Sequence, residues 1–220
     1  MDRQYRGFGR TWSSVALAAL FTVTAWSENA SGGAFACRGI AEISFFGRST
    51  LHGFEGQGVT EMFVLKGVVD TASGDTLVGT KIITRTEGLA TKDEALNKNM
   101  YKTLGSGSYP VITAWIDKVP LEKLRPPAGT RGEFPFRLKV RDITQRLTAT
   151  SSDWAMTSDS LVFTAQFDFS LSAFELQPPA PVFGLIKMED IVKVTCRFRT
   201  EVTSEAAKTE TGRQPARKQE

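Results

Sequence analysis

"LVFTAQFDFSLSA", residues 161 to 173, decides the fold. Its odd positions are Leu161, Phe163, Ala165, Phe167, Phe169, Leu171 and Ala173, and Thr164, Gln166, Asp168, Ser170 and Ser172 lie between them. Strict alternation puts every second side chain on one face of an extended strand. Two further stretches repeat the pattern. In "EFPFRLKVR", residues 133 to 141, Phe134, Phe136, Leu138 and Val140 oppose Arg137, Lys139 and Arg141. In "VKVTCRFR", residues 192 to 199, Val192, Val194, Cys196 and Phe198 oppose Lys193, Thr195, Arg197 and Arg199. Strands that are apolar on one face and polar on the other describe an antiparallel sheet with one solvated side.

Outward from these, "GIAEISFFGR", "MFVLKGVVD", "TLVGTKIITR", "VITAWIDKV" and "RLTATSSDWAM" carry the β-branched and aromatic residues that strands favour. Ala72-Ser73-Gly74-Asp75 and Pro126-Pro127-Ala128-Gly129 read as turns. With Gly53 to Val59 included, about eight strands are expected, in a barrel or a sandwich. One helix interrupts them. Thr91 and Glu94 form a Thr-x-x-Glu capping box. Leu96, Met100 and Leu104 make a narrow apolar stripe, and Gly105 is a stop signal. Pro110 holds Tyr109 extended, so the next strand starts there.

The N-terminus carries its own signal. Arg3, Arg6 and Arg10 precede the apolar run Val15 to Trp26, which ends at Ser27, Glu28 and Asn29. This is the layout of a secretory signal peptide over residues 1–36, cleaved after Ser27 or Ala36, with an uncleaved anchor as the other reading. A periplasmic or secreted location follows from it. Residues 203–220 read as a disordered charged tail, which leaves 37–202 for the folded domain. Cys37 and Cys196 are the two cysteines. An exported chain permits a disulfide between them and equally permits two independent thiols.

The net charge is only +3. Lys and Arg form no block of the kind a nucleic-acid binder concentrates on one face, so no nucleic-acid partner is expected. Outward Arg137, Lys139, Arg197 and Arg199 admit peripheral contact with an anionic membrane. One histidine and two distant cysteines make a poor tetrahedral metal set, and no cofactor motif is present. His52, in "STLHGFEG" near Ser49 and Glu55, is the one candidate base for a lipid-directed enzyme. The stronger clue is the hidden face. Its phenylalanines either fill a barrel as a packed core or wall a cavity for an apolar ligand. A filled barrel would suit an envelope structural or interaction protein.

The order of several segments resembles the YceI-like family of polyisoprenoid-binding, lipocalin-like exported proteins. They are "ISF" at 43–45, "GFEG" at 53–56, "NKNMYKTLGSGSYPVI" at 97–112 and "FDFSLSAFELQPPAPVFGLIKMEDIVKVTCRF" at 167–198. The resemblance covers roughly Gly39 to Arg199. It implies an all-β, antiparallel, eight-stranded barrel with the short amphipathic helix covering an opening. It also implies non-catalytic carriage or sequestration of a polyisoprenoid, an isoprenoid quinone or a similar long lipid. Carried over by matching strand, Phe45, Phe54, Ile112, Phe163, Phe167, Phe169, Val194 and Phe198 line the interior. Met100 and Leu104 close it, and Tyr109 sits near its rim.

Overall fold

Among the described residues ten strands run in chain order: β1 (Phe35–Arg48), β2 (Gly53–Val59), β3 (Phe63–Val69), β4 (Thr76–Arg85), β5 (Ala90–Thr91), β6 (Val111–Pro120), β7 (Gly132–Val140), β8 (Ile143–Met156), β9 (Ser160–Ser170) and β10 (Ile191–Val202). Helix α1 (Glu94–Leu104) follows β5, and the short α2 (Leu121–Leu124) joins β6 to β7. The computed structural model describes residues 34–178 and 188–203. The expected signal segment up to residue 33, the tail from residue 204 and part of the proline-rich loop lie outside them.

Eight strands close a ring in the order β1, β10, β9, β8, β7, β6, β4, β3, with β3 returning to β1, and every pair is antiparallel. β1 is long enough to serve two neighbours on one edge. Phe35–Gly39 pairs with β3, and Glu42–Arg48 pairs with β2. Thr60 fixes the change of partner: its Oγ1 accepts from the Ala41 N–H at 2.9 Å, and its own N–H donates to the Ala41 carbonyl at 3.0 Å. β2 leans out of the ring and carries β5 on its far edge. The fold is therefore the closed eight-stranded, lipocalin-like barrel, with β2 and β5 as a flap that leads into the helix.

The period-2 patterns set which side chains point inward. Phe134, Phe136, Leu138 and Val140 of β7 are buried while Arg137 and Lys139 are exposed. Leu161, Phe163 and Ala165 of β9 and Val192 and Phe198 of β10 are buried as well. The alternation in β9 stops three residues earlier than its sequence suggests. The strand ends at Ser170, and Ser172–Phe174 forms a 3-10 turn. Asp190 causes this: one carboxylate oxygen accepts from the Ser172 N–H at 2.6 Å, and the other accepts from the Ser170 and Ser172 hydroxyls. Those bonds, the Ser170 hydroxyl foremost, hold the Asp190 carboxyl below its ordinary range.

Two boundaries differ from the sequence reading. β1 starts at Phe35, because Phe35 and Ala36 pair with Gly67 and Lys66. The strand thus begins upstream of Gly39, where the sequence reading started it. Helix α1 is capped by Asp93, whose Oδ1 accepts from the Leu96 N–H at 3.1 Å. The Thr91 hydroxyl is occupied elsewhere, accepting from the Asp93 N–H and donating to the Asp93 carbonyl. At the other end Gly105 adopts the left-handed conformation with φ 66°, which a residue with a Cβ takes up only with strain.

Candidate ligand-binding cavity

One end of the barrel is solid. Phe163 stacks on Phe198 with centroids 4.2 Å apart and rings nearly parallel, Phe63 meets Phe198 edge-on at 5.7 Å, and Trp154 lies 5.2 Å from Phe163. Leu65, Leu124 and Leu161 are fully buried around them. Helix α2 covers this end, its Leu124 carbonyl accepting from the Ser151 hydroxyl.

Above Phe198 the barrel is hollow. The cavity has a volume of about 420 Å³, within the size range of small-molecule sites. Its walls are almost wholly apolar. Phe45 and Phe54 come from the β1–β2 hairpin, and Ile82 and Ile112 from β4 and β6. Phe134, Phe136 and Leu138 come from β7, Phe167 and Phe169 from β9, and Val192, Val194 and Cys196 from β10. Phe136 and Phe167 meet edge to face at 4.8 Å, and Phe169 stacks on Phe174 at 4.9 Å.

The cavity keeps room beside the hairpin because two cross-strand partners are glycines. Phe45 pairs with Gly56 and Phe54 with Gly47. A Cβ on Gly56 would lie 2.1 Å from the Phe45 ring, and one on Gly47 would lie 2.2 Å from the Phe54 ring. Both rings therefore lie flat over backbone.

Helix α1 roofs the hollow. Leu96, Met100 and Leu104 face into it, with Asn99 and Thr103 beside them. Tyr101 pins the helix by donating its hydroxyl to the Leu89 carbonyl at 2.7 Å. Asn97 ties down the other end, its Oδ1 accepting from the Thr91 N–H at 2.6 Å and its amide donating back to the Thr91 carbonyl. The exposed lining residues His52, Asp93, Ala95 and Asn99 mark one opening, between the β1–β2 hairpin tip and the first turns of α1, and Thr103 lines the cavity at the helix's other end.

Of the expected lining residues, Phe45, Phe54, Ile112, Phe167, Phe169, Val194 and Phe198 reach the cavity, and so do Met100 and Leu104 of the roof. Phe163 does not; it is fully buried one layer below Phe198. Tyr109, expected near the rim rather than in the wall, has its ring under the Arg141 guanidinium, 5.5 Å from centroid to Cζ. Ile43, Leu89, Leu176 and Met188 line the cavity and were not singled out from sequence. Ile43 shares the inner parity of Phe45 and was legible in principle. The others sit in turns and bridges where alternation gives no signal.

The two thiols are free. β1 and β10 are neighbours, but Cys37 stands opposite Val202 and Cys196 opposite Ile43. Six residues of register separate the cysteines, about 20 Å along the strand, whereas a disulfide needs Cα atoms within about 7 Å. Cys196 faces the cavity, and burial pushes its thiol up to about 12. Burial also raises the Cys37 thiol, against an opposing bond from Thr200.

His52 lies at the mouth, and among the described residues neither Ser49 nor Glu55 is hydrogen-bonded to its imidazole. The Ser49 hydroxyl is spent on the His52 backbone, donating to its carbonyl at 3.0 Å and accepting from its N–H at 3.3 Å. Glu55 lies exposed on β2 opposite Phe46. Among the described residues the imidazole makes no hydrogen bond. Two of the four outward cations are already paired: Arg137 with Asp117 at 2.7 Å, and Arg199 with Glu42 at 3.6 Å.

No protein-family model matches the sequence, and no curated protein matches it. Solved structures do match its fold. BcnA of Burkholderia cenocepacia superposes with a TM-score of 0.55 at 13% identity, over 72% of this chain and 95% of that one. A polyisoprenoid binding domain from Saccharophagus degradans, implicated in plant cell wall breakdown, gives 0.51 at 12% identity, over 76% and 98%. A Campylobacter jejuni YceI protein aligns more loosely, at 0.48 and 11% identity over 66% and 83%. The chain thus has the eight-stranded fold that its resemblance to the YceI-like family implies.

Proposed function

We propose that this chain is a member of the YceI-like family that binds a long apolar lipid without chemical change, carrying or sequestering it in the cell envelope. The ligand is a polyisoprenoid, an isoprenoid quinone or a lipid of similar shape. The blind apolar cavity roofed by α1 carries this reading. A dry, preformed bore with few polar groups suits a chain-shaped guest. Each methylene transferred into it contributes about 0.8 kcal/mol, so ten contribute about 8 kcal/mol before the costs of association. The polyisoprenoid binding domain of similar fold supports the ligand class.

Export to the periplasm or medium belongs to the same reading and is supported by the basic and apolar N-terminal segment. So does peripheral contact with anionic membrane, for which Lys139 and Arg197 remain exposed on the barrel's outside. The test is native mass spectrometry of protein purified from exporting cells, with an organic extract analysed in parallel. A bound, extractable apolar molecule is expected. Protein that carries none, and takes up no added isoprenoid alcohol or quinone, would contradict the reading. Replacing His52 by Ala should leave uptake of the lipid intact and its structure unaltered.

A further inference from the structure

A second, polar pocket adjoins the apolar one. It is lined by Lys102, Thr103, Arg141, Glu175 and Gln177. Thr103 lines both. The other members are chain neighbours of cavity-lining residues: Lys102 and Thr103 precede Leu104, Arg141 follows Val140, and Glu175 and Gln177 flank Leu176. One ligand can therefore have its tail among the phenylalanines and its head in the polar pocket.

The composition of the pocket selects the head. Lys102 and Arg141 set against Glu175 leave a single positive charge. Among the described residues neither cation has an ion-pair partner. A planar guanidinium matches a carboxylate with two parallel hydrogen bonds. The Tyr109 ring beneath Arg141 holds the guanidinium in place. The C-terminal end of α1, which would repel an anion, is blunted here. The Tyr101 carbonyl accepts from the Ser106 N–H, and the Lys102 carbonyl from the Gly105 N–H.

We infer that the ligand is an amphiphile with a singly charged carboxylate head, held by Lys102 and Arg141, and a tail in the barrel. This rests on the lipid-binding reading above. A head of two or more negative charges would overshoot the pocket's single positive charge and meet Glu175 directly.

The test is calorimetric titration with farnesoic acid and farnesol, which share a tail and differ in the head. The acid should bind about tenfold more tightly, the order expected of one charge-assisted hydrogen bond. Arg141→Gln and Lys102→Gln should each shrink that preference. Glu175→Gln should enlarge it, which a merely structural role for these side chains would not do. Lys102 is exposed on α1, so its substitution guards against a folding artefact at Arg141. Acetate that competes with farnesoic acid but not with farnesol places the head in this pocket. Equal affinity for the two compounds, or a preference that survives both cation substitutions, refutes the carboxylate head alone. Failure of both compounds to bind refutes it together with the cavity reading.

Discussion

Phe45 and Phe54 are where single residues decide whether the barrel is open. Each lies across a glycine of the facing strand, Gly56 and Gly47. Gly56→Val should push the Phe45 ring into the hollow, weaken lipid uptake and lower stability by about 1–3 kcal/mol, the usual penalty of overpacking. Binding titration and denaturant melts would check the two effects. Cys196 provides a pH test. Its thiol titrates near 12 when folded and near 9, the ordinary value, when unfolded. Between those values the unfolded chain has lost a proton that the native state keeps, so stability falls as pH rises. The Cys196 contribution to that slope is at most about 1.4 kcal/mol per pH unit. It is fully retained below pH 9, and Cys196→Ala should flatten the alkaline fall in urea melts. Alternation revealed the inward face of Cys196, whereas Phe45 and Phe54 were placed by the family resemblance. Alternation did not reveal depth: Phe163 and Phe167 share a parity, yet one is sealed in the aromatic floor and the other borders the void.

At the scale of elements, α1 was legible almost completely, because its apolar stripe and glycine stop are local signals. Its cap was not. Thr91 and Asp93 both precede the helix, and either side chain can cap. The choice was made by Asn97, which draws Thr91 into a separate network. Asp93→Ala should therefore destabilise the roof by about 1 kcal/mol, seen as faster amide exchange over Leu96 to Met100. Thr91→Ala should act through the Asn97 contacts instead, freeing the link between β5 and the helix. The β1–β2 flap was only half legible. Its strands were found, but the transfer of β1 from β3 to β2 is a matter of tertiary pairing around Thr60, and no local pattern encodes it.

The whole molecule is a barrel filled at one end and hollow at the other. Sequence alone left the packed core and the ligand cavity as alternatives; both are present, at different depths. The division makes a prediction of its own. Phe163→Ala should cost about 3–5 kcal/mol, as expected for an aromatic ring removed from a sealed core. Phe167→Ala should cost clearly less stability and alter lipid affinity more. The cysteine pair shows the same gap between local and global information. Adjacency of the first and last strands follows from closing a barrel, whereas the six-residue offset between the thiols depends on register. The central claim, a blind greasy bore of limited depth, is tested most directly by calorimetric titration with primary alcohols of increasing chain length. Affinity should rise by up to about fourfold per added methylene and then level off once the tail reaches Phe198. No binding at any length, or affinity indifferent to length, would contradict it.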